Sequence, residues 1–250
     1  MFKQIAVSLC LSLLAGLYSG SALAATTMTV LVTGANRGIG LEMVKQLESR
    51  GMHVIGTARK PAEAEALRAT GARLEQLDVT DGDSIAGLAK ALEGVPIDLL
   101  INNAGIMGHT AASFEETDFA QIGNTFAVNT LGPMRVTQAL LPNLKAGKHK
   151  TVISISSVMG SIARNQGGYY GYRSSKSALN MMNKSMALEL IDEGFTCVVM
   201  HPGWVKTRMG GEGAQITTQE SVAGLLQVIA GLGPDDNARF LDYQGQEIPW

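Results

Sequence analysis

Cysteine is scarce in this chain, which contains only Cys10 and Cys197 among its 250 residues. Because Cys10 falls in an N-terminal segment that we expect to be removed, the mature chain keeps one cysteine and cannot form an internal disulfide. Cys197 lies in an apolar predicted strand, and we therefore expect it to be a core residue.

The sequence also lacks an excess of charge and a cluster of histidines. The formal net charge is −2 and no basic stripe is present, which argues against nucleic acid as a partner. The four histidines are His53, His109, His149 and His201. Their scattered positions do not have the spacing of metal ligands, so we expect no metal site. The chain shows no repeat and no interdomain linker, and its length suits one domain with a large core.

The N-terminus has the pattern of a secretory signal. Lys3 precedes an uncharged, mostly apolar stretch that runs to Leu17, and the segment ends in Ser21–Ala25 with an Ala-x-Ala cleavage pattern. The apolar run is short for a membrane span. We predict a cleaved signal peptide over residues 1–25, a mature domain over 28–250, and a periplasmic or secreted protein. The alternatives are translation from Met28, which makes the protein cytoplasmic, and an uncleaved anchor.

A glycine-rich turn follows the first predicted strand. Residues 33–40 read TGANRGIG, come after the apolar run Val30–Val32, and precede Leu41, Val44 and Leu47 at helical spacing. Such a turn lets backbone N–H groups approach a pyrophosphate at a helix N-terminus. The glycine spacing is G-x-x-x-G-x-G, not the usual G-x-G-x-x-G. We interpret the turn as a dinucleotide-binding loop.

Tyr172 and Lys176 are four residues apart, so on a helix they share one face. A tyrosine with its ordinary pKa of about 10 is a poor proton donor or acceptor at neutral pH. A nearby ammonium favours the phenolate and lowers that pKa. The pair therefore suggests acid/base catalysis, although such pairs also occur on protein surfaces.

Three more motifs accompany this pair. An apolar strand ends in Ser156 and Ser157, the latter 15 residues before Tyr172. Another apolar strand ends in the sequence Asn-Asn-Ala-Gly at 102–105, and Asn129 lies in a helical stretch. A serine hydroxyl at a strand end can donate a hydrogen bond to a substrate carbonyl oxygen.

In order and spacing, these motifs resemble the short-chain dehydrogenase/reductase family from about Thr29 to Trp250. The resemblance implies that Tyr172 is the catalytic acid/base and that Lys176 lowers its pKa and holds the nicotinamide ribose. It implies that Asn129 keeps a proton-relay water in place. The family serine usually lies 13 residues before the tyrosine, where this chain has Met159. Ser157 is then the candidate, with two extra residues in the following loop, and Ser156 is the alternative.

The residues after the second predicted strand favour NADP(H). Arg59 lies 19 residues after Gly40, close to where NAD enzymes place an acidic side chain. A guanidinium binds phosphate oxygens with two hydrogen bonds, and Arg37 in the glycine loop is a second cation. Two solvated arginines are the alternative interpretation.

The resemblance assigns cofactor contacts to the glycine loop, to the ends of the second, third and fourth strands, to the catalytic helix and to a Pro-Gly loop. These residues are Gly34, Asn36, Arg37, Gly38, Ile39, Gly40, Arg59, Asp78, Val79, Asn102, Ala104, Gly105, Tyr172, Lys176, Pro202, Gly203, Val205 and Thr207. The glycine-rich segment from Arg208 to about Thr218 is predicted to be a mobile lid.

The alternation of apolar strands and helical patterns predicts an α/β fold, namely a single doubly wound Rossmann domain with a seven-stranded parallel sheet flanked by helices. The predicted strands are 29–33, 53–58, 73–77, 97–102, 151–156, 196–201 and 239–243. The predicted helices are 39–49, 62–70, 83–92, 118–145, 171–193 and 218–231.

The C-terminal residues 239–250 resemble the ending of the C-factor-like and sniffer-like carbonyl reductases, and we expect Ile248 and Trp250 to pack beside the last strand. This resemblance implies NADPH-dependent reduction of an aldehyde or ketone by a homodimer or homotetramer that packs through its long helices. The alternatives are a nucleotide-binding signalling or scaffold protein of C-factor type and an enzyme acting on sugar nucleotides. The chain lacks the longer C-terminal domain typical of the latter.

Overall fold

The computed structural model describes residues 27–108, 110 and 113–250. The strands within these residues are β1 (Thr29–Val32), β2 (His53–Ala58), β3 (Arg73–Gln76), β4 (Leu99–Asn102), β5 (Thr151–Ile155), β6 (Thr196–His201) and β7 (Phe240–Asp242). The helices are α1 (Gly38–Ser49), α2 (Glu65–Arg68), α3 (Gly82–Ala91), α4 (Phe119–Phe126), α5 (Gly132–Ala139), α6 (Leu141–Ala146), α7 (Tyr170–Glu189) and α8 (Thr218–Ala230). The predicted signal peptide, residues 1–25, lies outside the described residues, as does His109.

All seven strands form one sheet in the order β3-β2-β1-β4-β5-β6-β7, and every neighbouring pair is parallel. This arrangement confirms the predicted doubly wound Rossmann fold. The chain order reverses beside β1, which pairs with β2 on one side and with β4 on the other. In such sheets the crevice at this switch point, beyond the carboxyl ends of the strands, is where ligands bind.

The strand residues face two separate cores in alternation. Val30 and Val32 pack with residues of α1 and α8 on one face, whereas Leu31 packs with α3, α5 and α7 on the other. Both faces of the sheet are therefore covered by helices, which explains the continuous apolar runs of the strands. Cys197 is fully buried in the second core, as expected.

The predicted helix over 118–145 is divided. After α4, residues Ala127–Leu131 form a stretch of π-helix, and α5 and α6 follow with an interruption at Leu140. Pro133 has no N–H, so the α-helical hydrogen bond to the carbonyl of Asn129 cannot form. Pro142 lies in the first turn of the next short helix. The periodicity over 118–145 did not reveal these breaks.

The region between β2 and β3 also differs from the prediction. A 3₁₀ turn over Pro61–Glu63 and the four-residue helix α2 replace the predicted helix over 62–70. At the other end of the chain, Ile248 is buried, and the Trp250 ring lies 5.5 Å from that of Phe240 on β7. None of the helices in the described ranges combines the length and apolar character that a membrane crossing requires.

Candidate active site

The predicted site residues gather at one edge of the sheet. Because all strands are parallel, their carboxyl ends meet at the same edge. The glycine loop follows β1, Arg59 follows β2, Asp78 and Val79 follow β3, the segment 102–105 includes the end of β4, and the segment 202–207 follows β6. The fold therefore brings together groups that are far apart in the sequence.

Close backbone approach is built into the glycine loop. Gly34 and Gly38 have φ values of +64° and +57°, in the left-handed region that favours glycine. A Cβ on Gly40 would lie 2.5 Å from both the Asn103 amide nitrogen and the carbonyl oxygen of Gly34. Side chains at these positions are excluded, and the loop presents its backbone to the crevice.

The N-terminus of α1 fits a pyrophosphate. Arg37 caps the helix in an extended conformation, its side chain makes no capping hydrogen bond, and the first turn contains no acidic residue. The first N–H groups of the helix therefore have no side-chain acceptor at the cap, and the helix dipole favours an anion there. These features match the cradle that a dinucleotide requires.

Asn103, which the sequence analysis did not select, holds the glycine loop to β4. Its amide nitrogen donates to the carbonyl oxygens of Thr33 and Gly34 at 2.9 and 3.2 Å. The Thr33 hydroxyl in turn accepts from the backbone N–H groups of Asn103 and Ala104, both at 3.0 Å. The side chain of Asn102 instead turns into the protein and donates to Thr137 at 3.0 Å. Only the second asparagine of the Asn-Asn-Ala-Gly segment supports the loop.

Exposed guanidinium groups approach one another beside the glycine loop. The pKa of Arg37 is lowered by partial burial, then by the charge of Arg208, then by that of Arg59. Arg37 and Arg59 are predicted from the sequence as cofactor contacts, whereas Arg208 is not. The carboxylate of Asp78 accepts hydrogen bonds from the N–H and hydroxyl of Thr80 at 2.9 and 2.7 Å. Partial burial acts to raise the pKa of Asp78, but these bonds, and after them the charge of Arg59, outweigh that effect and lower the pKa.

The structure places the remaining predicted cofactor contacts near the same edge of the sheet. Ile39 packs against the core from the start of α1, and Asn36 is half-buried in the glycine loop. Val79 is buried against Gly132, where a Cβ would lie 2.8 Å from the valine methyl group. A Cβ on Gly105 would lie 3.3 Å from Asn129 Oδ1 and 3.6 Å from Lys176 Nζ, so this glycine separates the cofactor crevice from the catalytic residues.

Tyr172 and Lys176 lie on one face of α7 and are almost completely buried, with 7% and 4% of their surfaces exposed. The Lys176 ammonium donates to the carbonyl oxygen of Ile155 at 2.8 Å and lies 5.9 Å from the centre of the Tyr172 ring. Tyr169 and Tyr170, in contrast, are both about two-fifths exposed at the start of the helix, at 40% and 39%. The geometry therefore distinguishes Tyr172 from its neighbours.

The two strand-end serines have different partners. The side chain of Ser157 acts on Tyr172, where it opposes the rise in pKa that burial causes, and the Ser157 hydroxyl accepts from the N–H of Met159 at 3.1 Å. Ser156 points the other way and donates to the Asn180 amide oxygen at 2.7 Å. This arrangement favours Ser157 as the partner of Tyr172 and gives Ser156 a structural hydrogen bond.

Burial dominates the protonation of the pair. It raises the pKa of Tyr172, and the Ser157 side chain partly offsets that rise. It lowers the pKa of Lys176 to about 8. The causes that shift the pKa of Tyr172 do not include the Lys176 charge, and the ammonium donates to the Ile155 carbonyl. Burial therefore disfavours the charged form of both residues.

Asn129 and Ser175 connect the π-helical stretch to the catalytic helix. The Asn129 amide donates to the Ile106 carbonyl at 2.8 Å and to the Ser175 hydroxyl at 3.1 Å, and its oxygen accepts from the Ile106 N–H at 2.9 Å. Ser175 donates in turn to the Tyr172 carbonyl at 2.8 Å. Sequence reasoning missed Ser175; its place next to Lys176 on a buried helix face is the signal that could have found it.

The Pro-Gly loop closes the site on its far side. Pro202 is buried, Gly203 adopts φ +84°, and Val205 pairs with Ile216. The Thr207 hydroxyl accepts from the N–H of Gly210 at 3.0 Å. The loop is therefore internally hydrogen-bonded and spans from the catalytic side to the cofactor crevice.

Comparison with known proteins identifies the family. A family model described as short chain dehydrogenase matches residues 28–216. The chain belongs to the short-chain dehydrogenase family. It is therefore a member of a family of oxidoreductases. Residues 217–250, which contain α8 and β7, lie beyond the matched region.

The similar proteins point in two directions. Over 156 residues the chain is 51% identical to the C-signal of Myxococcus xanthus, covering 62% of this chain and 93% of that protein. The structure of an NADPH-bound carbonyl reductase from chicken fatty liver is 35% identical to this chain in sequence and matches it with a TM-score of 0.84. The match covers 90% of this chain and 99% of the reductase. The structure of the carbonyl reductase Sniffer of D. melanogaster is 33% identical to this chain and has a TM-score of 0.85. That match covers 90% of this chain and 100% of Sniffer.

The chemistry of the site rests on hydroxyl and ammonium groups. The described parts of the chain contain no group of three His, Cys, Asp or Glu side chains close enough to hold a metal ion together. The arrangement supports proton transfer at a substrate oxygen. The hydroxyl groups that would carry out this transfer lie next to a buried ammonium and to the glycine loop.

Proposed function

We propose that this short-chain dehydrogenase is an NADP(H)-dependent carbonyl reductase that converts an aldehyde or ketone to an alcohol. The observation that carries the proposal is the burial of Ser157, Tyr172 and Lys176 together at the edge of the sheet where the glycine loop lies, with burial raising the pKa of Tyr172 and Ser157 opposing that rise. Solved structures similar to the chain include an NADPH-bound carbonyl reductase, which supports both the cofactor and the reaction.

In the proposed reaction, the substrate carbonyl oxygen accepts hydrogen bonds from the Ser157 and Tyr172 hydroxyls. A nicotinamide cofactor held at the glycine loop would supply the hydride for the carbonyl carbon. Tyr172 donates its proton to the oxygen as the carbon–hydrogen bond forms, and the Lys176 ammonium stabilises the phenolate that remains. Asn129 holds the water through which the tyrosine regains its proton. Because burial raises the pKa of Tyr172, the residue stays protonated and ready to donate.

Arg37 and Arg59 are the proposed determinants of NADP(H) preference. Both are exposed beside the glycine loop, and the charge of Arg59 lowers the pKa of Arg37. A 2′-phosphate between two guanidinium groups would relieve their repulsion and form charge-assisted hydrogen bonds. The other proposed cofactor contacts are those predicted from the sequence; Asn102 can contribute through its backbone, since its side chain donates to Thr137.

The test compares wild type with Tyr172→Phe and, as a matched control, Tyr170→Phe on the same helix. NADPH and NADH consumption is followed against aldehydes, diketones and quinones. We expect wild type to prefer NADPH, Tyr172→Phe to lose about 10³-fold in rate, and the control to retain its rate. Equal rates in Tyr172→Phe and wild type would overturn the proposed mechanism.

A nucleotide-binding signalling role is the second candidate, because the chain resembles a protein named C-signal. The catalytic set argues against it, since a scaffold does not need a buried lysine beside a buried tyrosine. Calorimetry with NADPH separates the two. A wild-type protein that binds NADPH but oxidises none of it with any member of the panel supports the signalling role.

The proposed assembly is a homodimer or homotetramer that packs through α4, α5 and α7. Met181 and Leu188 on α7 are 67% and 58% exposed, which is unusual for large apolar side chains of a helix in a compact domain. Light scattering on wild type and on Met181→Lys tests this. A monomeric wild type would refute it.

Export through residues 1–25 is also proposed. Expression of the full chain, fractionation and N-terminal sequencing provide the test. A mature chain that begins near Ala25 in the periplasmic fraction supports a cleaved signal. A cytoplasmic chain that begins at Met28 supports the alternative start.

A further inference from the structure

A short loop carries Arg208 from the Pro-Gly segment toward the cofactor crevice. Its two ends are joined by hydrogen bonds, from the N–H of Lys206 to the Ile216 carbonyl at 2.8 Å and from the N–H of Gln215 to the Trp204 carbonyl at 3.0 Å. The Trp204 indole donates to the Gly210 carbonyl at 2.8 Å, across the inside of the loop. These bonds give the loop a defined shape, so the position of Arg208 is set by the loop.

The loop touches the glycine loop directly before Arg208. A Cβ on Gly38 would lie 3.6 Å from the methyl group of Thr207, so the two backbones pack with only this methyl between them. The next residue, Arg208, therefore lies beside the N-terminus of α1. Its charge affects the pKa of Arg37 more than the charge of Arg59 does.

This group of cations forms no salt bridge within the described ranges. None of the ion pairs found there includes Arg37, Arg59 or Arg208, and all three side chains are exposed. Neighbouring guanidinium groups repel one another, and a phosphate that accepts hydrogen bonds from them removes that cost. The arrangement is therefore suited to an anion that bridges the glycine loop and the lid.

We propose that Arg208 binds a phosphate group of the cofactor from the lid side, and so couples the position of the lid to cofactor binding. This inference rests on the proposed NADP(H) function. Because Thr207 already contacts the glycine loop, a phosphate held by Arg208 would fasten residues 205–216 to the N-terminus of α1. The diphosphate and the 2′-phosphate offer Arg208 the same chemistry.

The experiment measures dissociation constants by calorimetry for NADP⁺, NAD⁺ and adenosine 2′,5′-bisphosphate. It uses wild type, Arg208→Gln, Arg208→Lys and the control Lys206→Gln. Lys206 lies on the same loop, but its charge acts on Glu220 instead of on the arginines. We expect Arg208→Gln to weaken NADP⁺ binding about 10- to 100-fold, Arg208→Lys to weaken it less, and the control to stay within about twofold.

The ligand series separates the two phosphates. An equal loss for NADP⁺ and NAD⁺ assigns Arg208 to the diphosphate, whereas a loss confined to NADP⁺ and adenosine 2′,5′-bisphosphate assigns it to the 2′-phosphate. Both results support the inference. Unchanged dissociation constants in Arg208→Gln, while wild type binds NADP⁺, overturn it and leave the proposed function intact. Failure of wild type to bind NADP⁺ overturns the proposed function as well.

Discussion

The cofactor side of the sheet edge and the catalytic side are built by different means. Around β1 and β2, the crevice consists of backbone in left-handed conformations at Gly34 and Gly38, with exposed arginines at its rim. Around β5 and α7, the site consists of buried side chains joined by hydrogen bonds, such as Lys176 to Ile155. One side depends on the absence of side chains, the other on individual polar atoms.

This difference predicts how each side fails. On the cofactor side, an added atom should be harmful because backbone must approach a ligand closely. On the catalytic side, a removed atom should be harmful because a buried partner loses its hydrogen bond. The following substitutions test that contrast, each against a neighbour of the same residue type or at a second pH.

Ser157→Ala should have the largest effect on catalysis, because it removes the hydroxyl that acts on Tyr172. We expect a loss of about 10²- to 10³-fold in kcat, together with a loss of about 0.5–1.5 kcal/mol of stability because the Met159 N–H loses its acceptor. The control Ser156→Ala leaves the Asn180 oxygen without its 2.7 Å hydrogen bond and should instead lower stability by about 1–3 kcal/mol. A larger loss of kcat in Ser156→Ala than in Ser157→Ala would reverse the assignment.

Lys176→Met should change how stability depends on pH. The pKa of Lys176 is about 8 in the folded protein and lies at its ordinary 10.5 when unfolded. Below pH 8 the folded state holds a buried charge at a cost of roughly 3 kcal/mol. Between pH 8 and 10.5 the unfolded state binds more protons, so wild-type stability should rise relative to the variant. Denaturant unfolding of both proteins at about pH 7 and about pH 10 measures this; a constant difference between them would contradict it.

Gly40→Ala should damage the cofactor side through one added methyl group. The new Cβ would lie 2.5 Å from two polar atoms that have little room to move. We expect a rise of about 10- to 100-fold in the dissociation constant of NADP⁺, which corresponds to about 1–3 kcal/mol. A Cβ on Gly87 in α3 would meet no atom within 4 Å, so Gly87→Ala should leave binding unchanged and add about 0.5–1 kcal/mol of stability. Equal binding by both variants would show that the loop is not closely packed.

Ser175→Ala should have the smallest effect on the catalytic side. Its hydroxyl links the Asn129 amide to the Tyr172 carbonyl without reaching the reacting atoms. We expect kcat to fall about 3- to 10-fold while the KM for NADPH is unchanged. The exposed neighbour Ser174 provides the control through Ser174→Ala. Parallel changes in kcat and in the KM for NADPH would indicate a general structural defect.

The fold could be predicted well from the sequence because its signals are local. The central strands are mostly apolar runs, and the predicted strands agree with the observed ones to within about two residues. The long helix over 118–145 was less well predicted, because its breaks depend on Pro133 and Pro142 inside an otherwise regular pattern. Periodicity reports which face is apolar and is insensitive to a local change of hydrogen bonding.

The candidate site was predicted less evenly. Tyr172 and Lys176 stand out by their spacing, whereas Ser156 and Ser157 are adjacent hydroxyls that the sequence does not separate. Both serines follow the end of β5, and only the packing of α7 against the 3₁₀ turn Val158–Gly160 separates their partners, with Asn180 for Ser156 and Tyr172 for Ser157. Asn103 and Ser175 were missed because their partners include residues that are distant in the chain.

By itself, the sequence determined the order of strands and helices, the position of the glycine turn and the spacing of the tyrosine–lysine pair, since these follow from residue type and local periodicity. The tertiary structure alone decided which serine meets Tyr172, how burial alters the pKa values of Tyr172 and Lys176, and that Arg208 joins Arg37. Burial and charge proximity depend on segments that meet only after the chain has folded.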